Sequence, residues 1–81
     1  MAPEITIRQA TSADAFALRR LAALDDAPAL RGEVLLAEHG GEVRAALSLE
    51  NGRSIANPFA PTAKLIDVLR MHSAYAETVA A

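Results

Sequence analysis

The side chains of this chain able to do chemistry are two histidines, four serines, and a scatter of arginines and carboxylates. A metal site needs several His, Cys or carboxylate ligands at short spacings, and neither histidine has such company. His39 stands beside the Gly40-Gly41 pair and reads as an exposed neighbour of a turn. His72 follows Leu65 at helical spacing and reads as a helix-edge residue served by water or backbone. Ser12, Ser48, Ser54 and Ser73 offer hydroxyls, but none lies in the Gly-x-Ser-x-Gly elbow that exposes a nucleophile above a sheet. Ser48 is better read as a strand residue. Asp25, Asp26 and Glu33 with Arg31 would make an acidic pocket, and the plainer reading is a helix end and a solvated loop. Arg19, Arg20, Arg44, Arg53 and Arg70 would hold an anion if they converged, and their spread over different elements reads as dispersed surface charge. No catalytic, cofactor-binding or metal residue is assigned, and the balance leans away from an enzyme.

The elements that would position these groups must fit into 81 residues, which is one small domain spanning residues 1–81. A chain of this size buries only about 60–65% of its unfolded surface, so its stability margin is thin. Disulfides, metals or oligomerisation are the usual supplements. The absence of cysteine removes disulfides and thiolate metal sites. The hydrophobic content is 52%, mostly alanine and leucine, which is more apolar surface than so small a body hides easily. The net charge of −2, with both signs interspersed, gives no basic stripe for nucleic acid. Seven of the eight basic residues are arginine, which with the abundant alanine fits a GC-rich bacterial genome. Met1-Ala2-Pro3-Glu4 lacks the basic and apolar segments of a signal peptide, and no apolar run reaches the length of a membrane span. A cytoplasmic protein without membrane contact is expected.

Ile5 to Arg8 alternates apolar and polar residues, as a short strand does. Thr11-Ser12-Ala13-Asp14 is a capping box that opens a helix. In it Ala17, Leu18, Leu21 and Leu24 form the inward stripe, while Arg19, Arg20 and Ala23 face outward. The helix should stop near Asp25-Asp26. A loop or single turn then leads to a second strand, Glu33 to Glu38. Gly40-Gly41 is a tight hairpin into a third strand, Glu42 to Glu50. Asn51-Gly52 predicts a two-residue type I′ turn that sets Glu50 opposite Arg53. Arg53 to Ala56 is a fourth strand. An extended connector, Asn57 to Pro61, enters a second helix capped by Thr62 and running from Ala63 to about Glu77. Phe59 reads as a plug that fastens the connector to the sheet. The expected fold is α+β, an antiparallel four-stranded meander with two helices in the order β-α-β-β-β-α. With a two-residue Gly-Gly turn, Val34, Leu36, Val43, Ala45, Leu47 and Leu49 share one sheet face, and Leu35, Ala37, Ala46 and Ile55 share the other. Both faces need cover, and the helices are expected on opposite sides.

Three segments carry a resemblance. These are Ile5-Thr6-Ile7-Arg8-Gln9-Ala10-Thr11 with Asp14, Ala17-Leu18 and Leu21; Val34-Leu35-Leu36-Ala37-Glu38; and Gly41-Glu42-Val43 with Ala46-Leu47-Ser48-Leu49. Together they resemble the opening half of a GNAT-type acyltransferase domain, over about the first 56 residues. The resemblance implies a fold cut short, since that superfamily follows its fourth strand with a glycine loop that cradles the pyrophosphate of acetyl-CoA. Such glycines let backbone N–H groups approach an anion at a helix N-terminus. Here the matching place reads Pro58-Phe59-Ala60-Pro61-Thr62, without glycine, and its two prolines have no N–H to donate.

These observations lead to a non-enzymatic small protein that forms a homodimer and holds no cofactor. The expected interface comprises Ile55, Phe59, Leu65, Ile66, Leu69, Met71 and Tyr75, largely apolar and burying at least about 1,000 Å². One alternative is a degenerate acyl-CoA-binding or acyltransferase-like protein whose cleft is formed by two chains. Another is an accessory subunit bound to an unidentified protein partner. The missing glycine loop generates a direct test. Calorimetric titration with acetyl-CoA should give no saturable heat at about micromolar concentration, and a saturable heat in that range would favour the acyl-CoA alternative.

Overall fold

The computed structural model describes residues 5–59 and 61–80. Its elements are strand β1 (Ile5–Gln9), a 3-10 turn (Ser12–Asp14), helix α1 (Ala15–Leu24), strands β2 (Val34–His39), β3 (Glu42–Ser48) and β4 (Ser54–Ala56), and helix α2 (Ala63–Ala80). The strands form one antiparallel sheet in the order β1-β2-β3-β4. The α+β meander therefore stands as the sequence predicts.

Within the sheet, one residue decides the packing. His39 pairs with Glu42 across Gly40 and Gly41, whose φ values of 63° and 82° suit a two-residue hairpin. Glu38 then pairs with Val43, but Ala37 pairs with Ala45, so Arg44 is an extra residue on β3. Such a bulge shifts every later side chain to the other face relative to β2. The expected face assignment is corrected accordingly. Leu36 and Val34 join Ala46 and Ile55, while Leu35 and Ala37 join Ala45 and Leu47. The turn has the expected length, and the bulge after it reverses the pairing.

Each face carries one helix. Leu21 and Ala22 of α1 pack with Val34, Leu36, Ala46 and Ile55. Leu65 and Leu69 of α2 pack with Ala37, Ala45, Leu47 and Ala56. The inward stripe of α1 is rotated from the expected one. It runs Leu18, Leu21, Ala22 and ends on Asp25, while Leu24 is 39% exposed. The helix closes with bonds from the Ala27 N–H to the Ala22 carbonyl (2.9 Å) and from the Asp26 N–H to the Ala23 carbonyl (3.2 Å). This is a Schellman ending, with Asp26 in the left-handed position at φ 49°.

The turn between β3 and β4 also differs from expectation. Ser48 donates its N–H to the Arg53 carbonyl (2.8 Å), and the Gly52 N–H reaches the Ser48 carbonyl (3.0 Å). The hairpin therefore has a four-residue loop, Leu49 to Gly52. Asn51 does not take the positive φ of a type I′ turn, and Glu50 is not opposite Arg53. The cause is Ser48, which is 1% exposed. Its hydroxyl donates to the Arg31 carbonyl (2.7 Å) and accepts from the Glu50 and Asn51 amides (3.2 and 3.3 Å). This bonding widens the turn and ties it to the loop after α1. Gly52 alone keeps a positive φ, 74°, and an added Cβ would meet nothing within 4 Å. Gly52→Val should thus cost about 1 kcal/mol or more from backbone strain alone, seen as a lower melting temperature. An unchanged melting temperature would show that the loop is not held in this conformation.

Candidate functional site

Among the described residues, the densest polar group joins β1, β2 and the start of α1. Arg8 lies on the α1 side of the sheet, opposite Leu36 in register. Its guanidinium makes two bonds to Asp14, Nη1 to Oδ2 at 2.9 Å and Nη2 to Oδ1 at 2.8 Å, and its Nε donates to the Glu38 carboxylate. Asp14 also accepts from the Thr11 amide at 2.7 Å and the Thr11 hydroxyl at 3.2 Å. The predicted capping box is therefore formed, and it is linked to the sheet by an arginine that the sequence did not single out.

The bidentate bond to Arg8, reinforced by the Thr11 amide, holds the Asp14 carboxyl well below the usual carboxylate range. The same bonds, with Glu38, raise Arg8 above its already high value. Neither group is thereby fitted for proton transfer near neutral pH. A groove of about 400 Å³ opens beside them, lined by Phe16, Arg20, Glu38 and Val43 among others. The carboxylates in it are already engaged, so the cluster fastens α1 to the sheet.

A second groove, about 670 Å³, lies on the α2 side and is lined by Ile5, His39, Arg44, Thr62, Lys64 and Leu65. Arg44 pairs with Glu42 at 3.2 Å, and its Nε is buried with no partner among the described residues. His39 is half-buried here rather than exposed. Three basic side chains, the first turn of α2 and an apolar floor are compatible with an anion that carries an apolar part.

The remaining predicted groups are scattered. Arg20 and Arg44 line different grooves, and Arg70 bonds the Gly52 carbonyl at 3.2 Å. Asp25 belongs to no acidic pocket, because its carboxylate accepts the N–H of Ala56 on β4 (3.1 Å). His72 is exposed, and among the described residues no cluster of three potential metal ligands occurs.

The seven residues expected at an interface divide. Ile55, Leu65 and Leu69 are buried within the single chain, at 2%, 5% and 0% exposure. Ile66 is half-buried against the α2-side core. Phe59 and Met71 stand out at 84% and 69%. Phe59 is therefore not the plug expected of it. The Tyr75 side chain lies outside the described residues.

No protein family, curated protein or solved structure was found to match this chain.

The Arg8-Asp14 pair has a defined pH signature. The carboxyl of Asp14 is depressed on folding, so its stabilisation is complete above the unfolded value of about 4 and is lost as pH falls below it. Asp14→Asn should lower the melting temperature at neutral pH and flatten its decline between about pH 4 and pH 2. A decline unchanged in the variant would assign acid sensitivity to other carboxylates.

Proposed function

We propose that this chain is a non-enzymatic, self-associating domain whose exposed apolar surface is covered in part by a second copy. The observation that carries this reading is the exposure of Ile5, Phe16, Phe59 and Met71, each at least half open to solvent in a chain of 81 residues. Self-association is one way to bury such surface. The element order and the antiparallel meander support descent from a truncated GNAT-type domain. The connector from β4 to α2 supports a loss of that superfamily's chemistry, since prolines stand where donors are needed.

The groove at the start of α2 favours a second reading, an acyl-CoA-like anion held by Arg44, Lys64 and the first-turn amides. Saturable acetyl-CoA binding would favour it.

Sedimentation equilibrium tests the first reading. The wild-type mass should be twice the 8.5 kDa of one chain. A folded species of 8.5 kDa would overturn self-association. Leu69→Asp would not distinguish dissociation from unfolding. Leu69 is fully buried in its own chain, so an unpaired carboxylate there should unfold the monomer.

A further inference from the structure

We propose that the seam between two copies is the free edge of β1, paired antiparallel with itself about Ile7. This rests on the self-association reading above and names the element that performs it.

The sheet has two outer strands, and they are unlike. On β4, the residues whose backbone groups point away from β3 are Ser54 and Ala56. This follows from the bonds Ser48 N–H to Arg53 carbonyl and Asn57 N–H to Arg44 carbonyl, with alternation between them. The outward N–H of Ala56 is taken by the Asp25 carboxylate from the end of α1. β4 is also only three residues long. Its edge is closed to another strand by the devices that commonly blunt sheet edges.

β1 has none of these devices. It is five residues long, contains no proline, and keeps an unbroken register with β2. Its single charge, Arg8, is engaged by Asp14 and Glu38 of the same chain. The Ala10 N–H bonds the Val34 carbonyl at 2.8 Å, so by alternation Arg8 and Thr6 also bond toward β2. Ile5, Ile7 and Gln9 therefore point their backbone groups outward. Among the described residues, no group accepts from those three N–H groups. The Gln9 carbonyl receives only a long bond from Arg8 Nη1, at 3.4 Å.

That pattern complements itself. A two-fold axis normal to the sheet, set at Ile7, puts Ile7 opposite Ile7 of the second copy and Ile5 opposite Gln9 of the second copy. All three are outward-bonding positions, so each pair exchanges both backbone bonds. The residues meeting across the seam also lie on the same sheet face, as an antiparallel pair requires. The pairing joins two four-stranded sheets and covers Ile5, which is 51% exposed. A partner of different sequence would need a matching strand, whereas a second copy supplies one by symmetry.

The register itself is testable, because Ile5 and Gln9 are both exposed and tolerate charge without disturbing the core. Ile5→Lys with Gln9→Lys places like charges opposite each other at both ends of the seam and should give a folded monomer. Ile5→Lys with Gln9→Glu places opposite charges there and should keep the dimer. Sedimentation equilibrium is run up to about 200 µM, since a strand-pairing interface is small and associates weakly. Circular dichroism confirms that each variant is folded. A dimeric wild type whose Lys/Lys variant stays dimeric overturns the β1 seam and leaves self-association standing. If Phe59→Ser with Met71→Ser dissociates that dimer instead, the seam runs through Phe59 or Met71 and the proposal falls. Equal dissociation of the Lys/Lys and Lys/Glu variants overturns the register. A wild type of 8.5 kDa at every concentration overturns both readings.

Discussion

The extra residue at Arg44 is the constraint on which the rest of the structure depends. β3 pairs with β2 and β4 and lies under both helices. A bulge in it sets which of its side chains meet which helix. Without Arg44 out of register, Ala45 and Leu47 would face α1, and Ala46 would face α2. The two cores would then each mix residues that the turns place on opposite sides. Small residues matter for the same reason. Ala37, Ala45, Ala46 and Ala56 are all buried, and they let the helices approach a sheet that is packed on both faces. The high alanine content of the chain is thus partly a packing requirement.

Helix α1 is held at both ends by carboxylates, and the two anchors differ in consequence. At its start, Asp14 links the cap to Arg8 and through it to Glu38 on β2. At its end, Asp25 crosses to β4 and occupies the donor of Ala56. The first anchor ties down the helix and, by engaging Arg8, leaves the β1 edge without a free charge. The second ties down the helix and closes the β4 edge. The same helix thereby makes the sheet asymmetric, with one edge sealed and one available.

Much of the fold was legible in the sequence, for reasons that can be located. The alternation in β1, the capping box, and the glycine pair before β3 are local signals, and each predicts a local conformation. The misses are the cases in which a distant partner overrides a local preference. Asn51-Gly52 is a good type I′ sequence, but Ser48 binds Arg31 and draws the turn into a four-residue loop. Leu24 fits a helical stripe, but Asp25 must reach β4, which rotates the helix toward Leu18 and Ala22. The bulge has no sequence mark that the pattern of apolar residues reveals, because both faces of β3 are apolar. The expected interface was only partly legible. Apolar residues on α2 can close the chain's own core or meet another chain, and the sequence does not separate these uses. Leu65 and Leu69 take the first course. Arg8 was missed because an arginine on an edge strand reads as solvated until the cap it serves is seen beside it.

The connector from β4 to α2 shows why this chain does not build a glycine-type pyrophosphate loop. A pyrophosphate loop must leave several backbone N–H groups free and aimed at one point. Here the Asn57 side chain accepts the Phe59 N–H at 2.8 Å, so that donor is spent locally. Pro58 and Pro61 contribute none. Because the turn is satisfied by Asn57, the Phe59 ring is not needed to anchor it and stands in solvent. The first helical bond of α2 runs from the Ile66 N–H to the Thr62 carbonyl. The donors that precede it, on Ala63, Lys64 and Leu65, are the ordinary unsatisfied first turn of a helix. They are held beside Lys64 and Arg44 rather than gathered into a loop. Any anion would therefore meet an exposed lysine and an arginine already shared with Glu42, in place of a preformed cradle. Such a site offers no set of converging backbone donors, whereas the β1 edge presents backbone donors and acceptors at fixed spacing. The directional groups of this chain lie on its sheet edge, and that is where a specific contact has the most to gain.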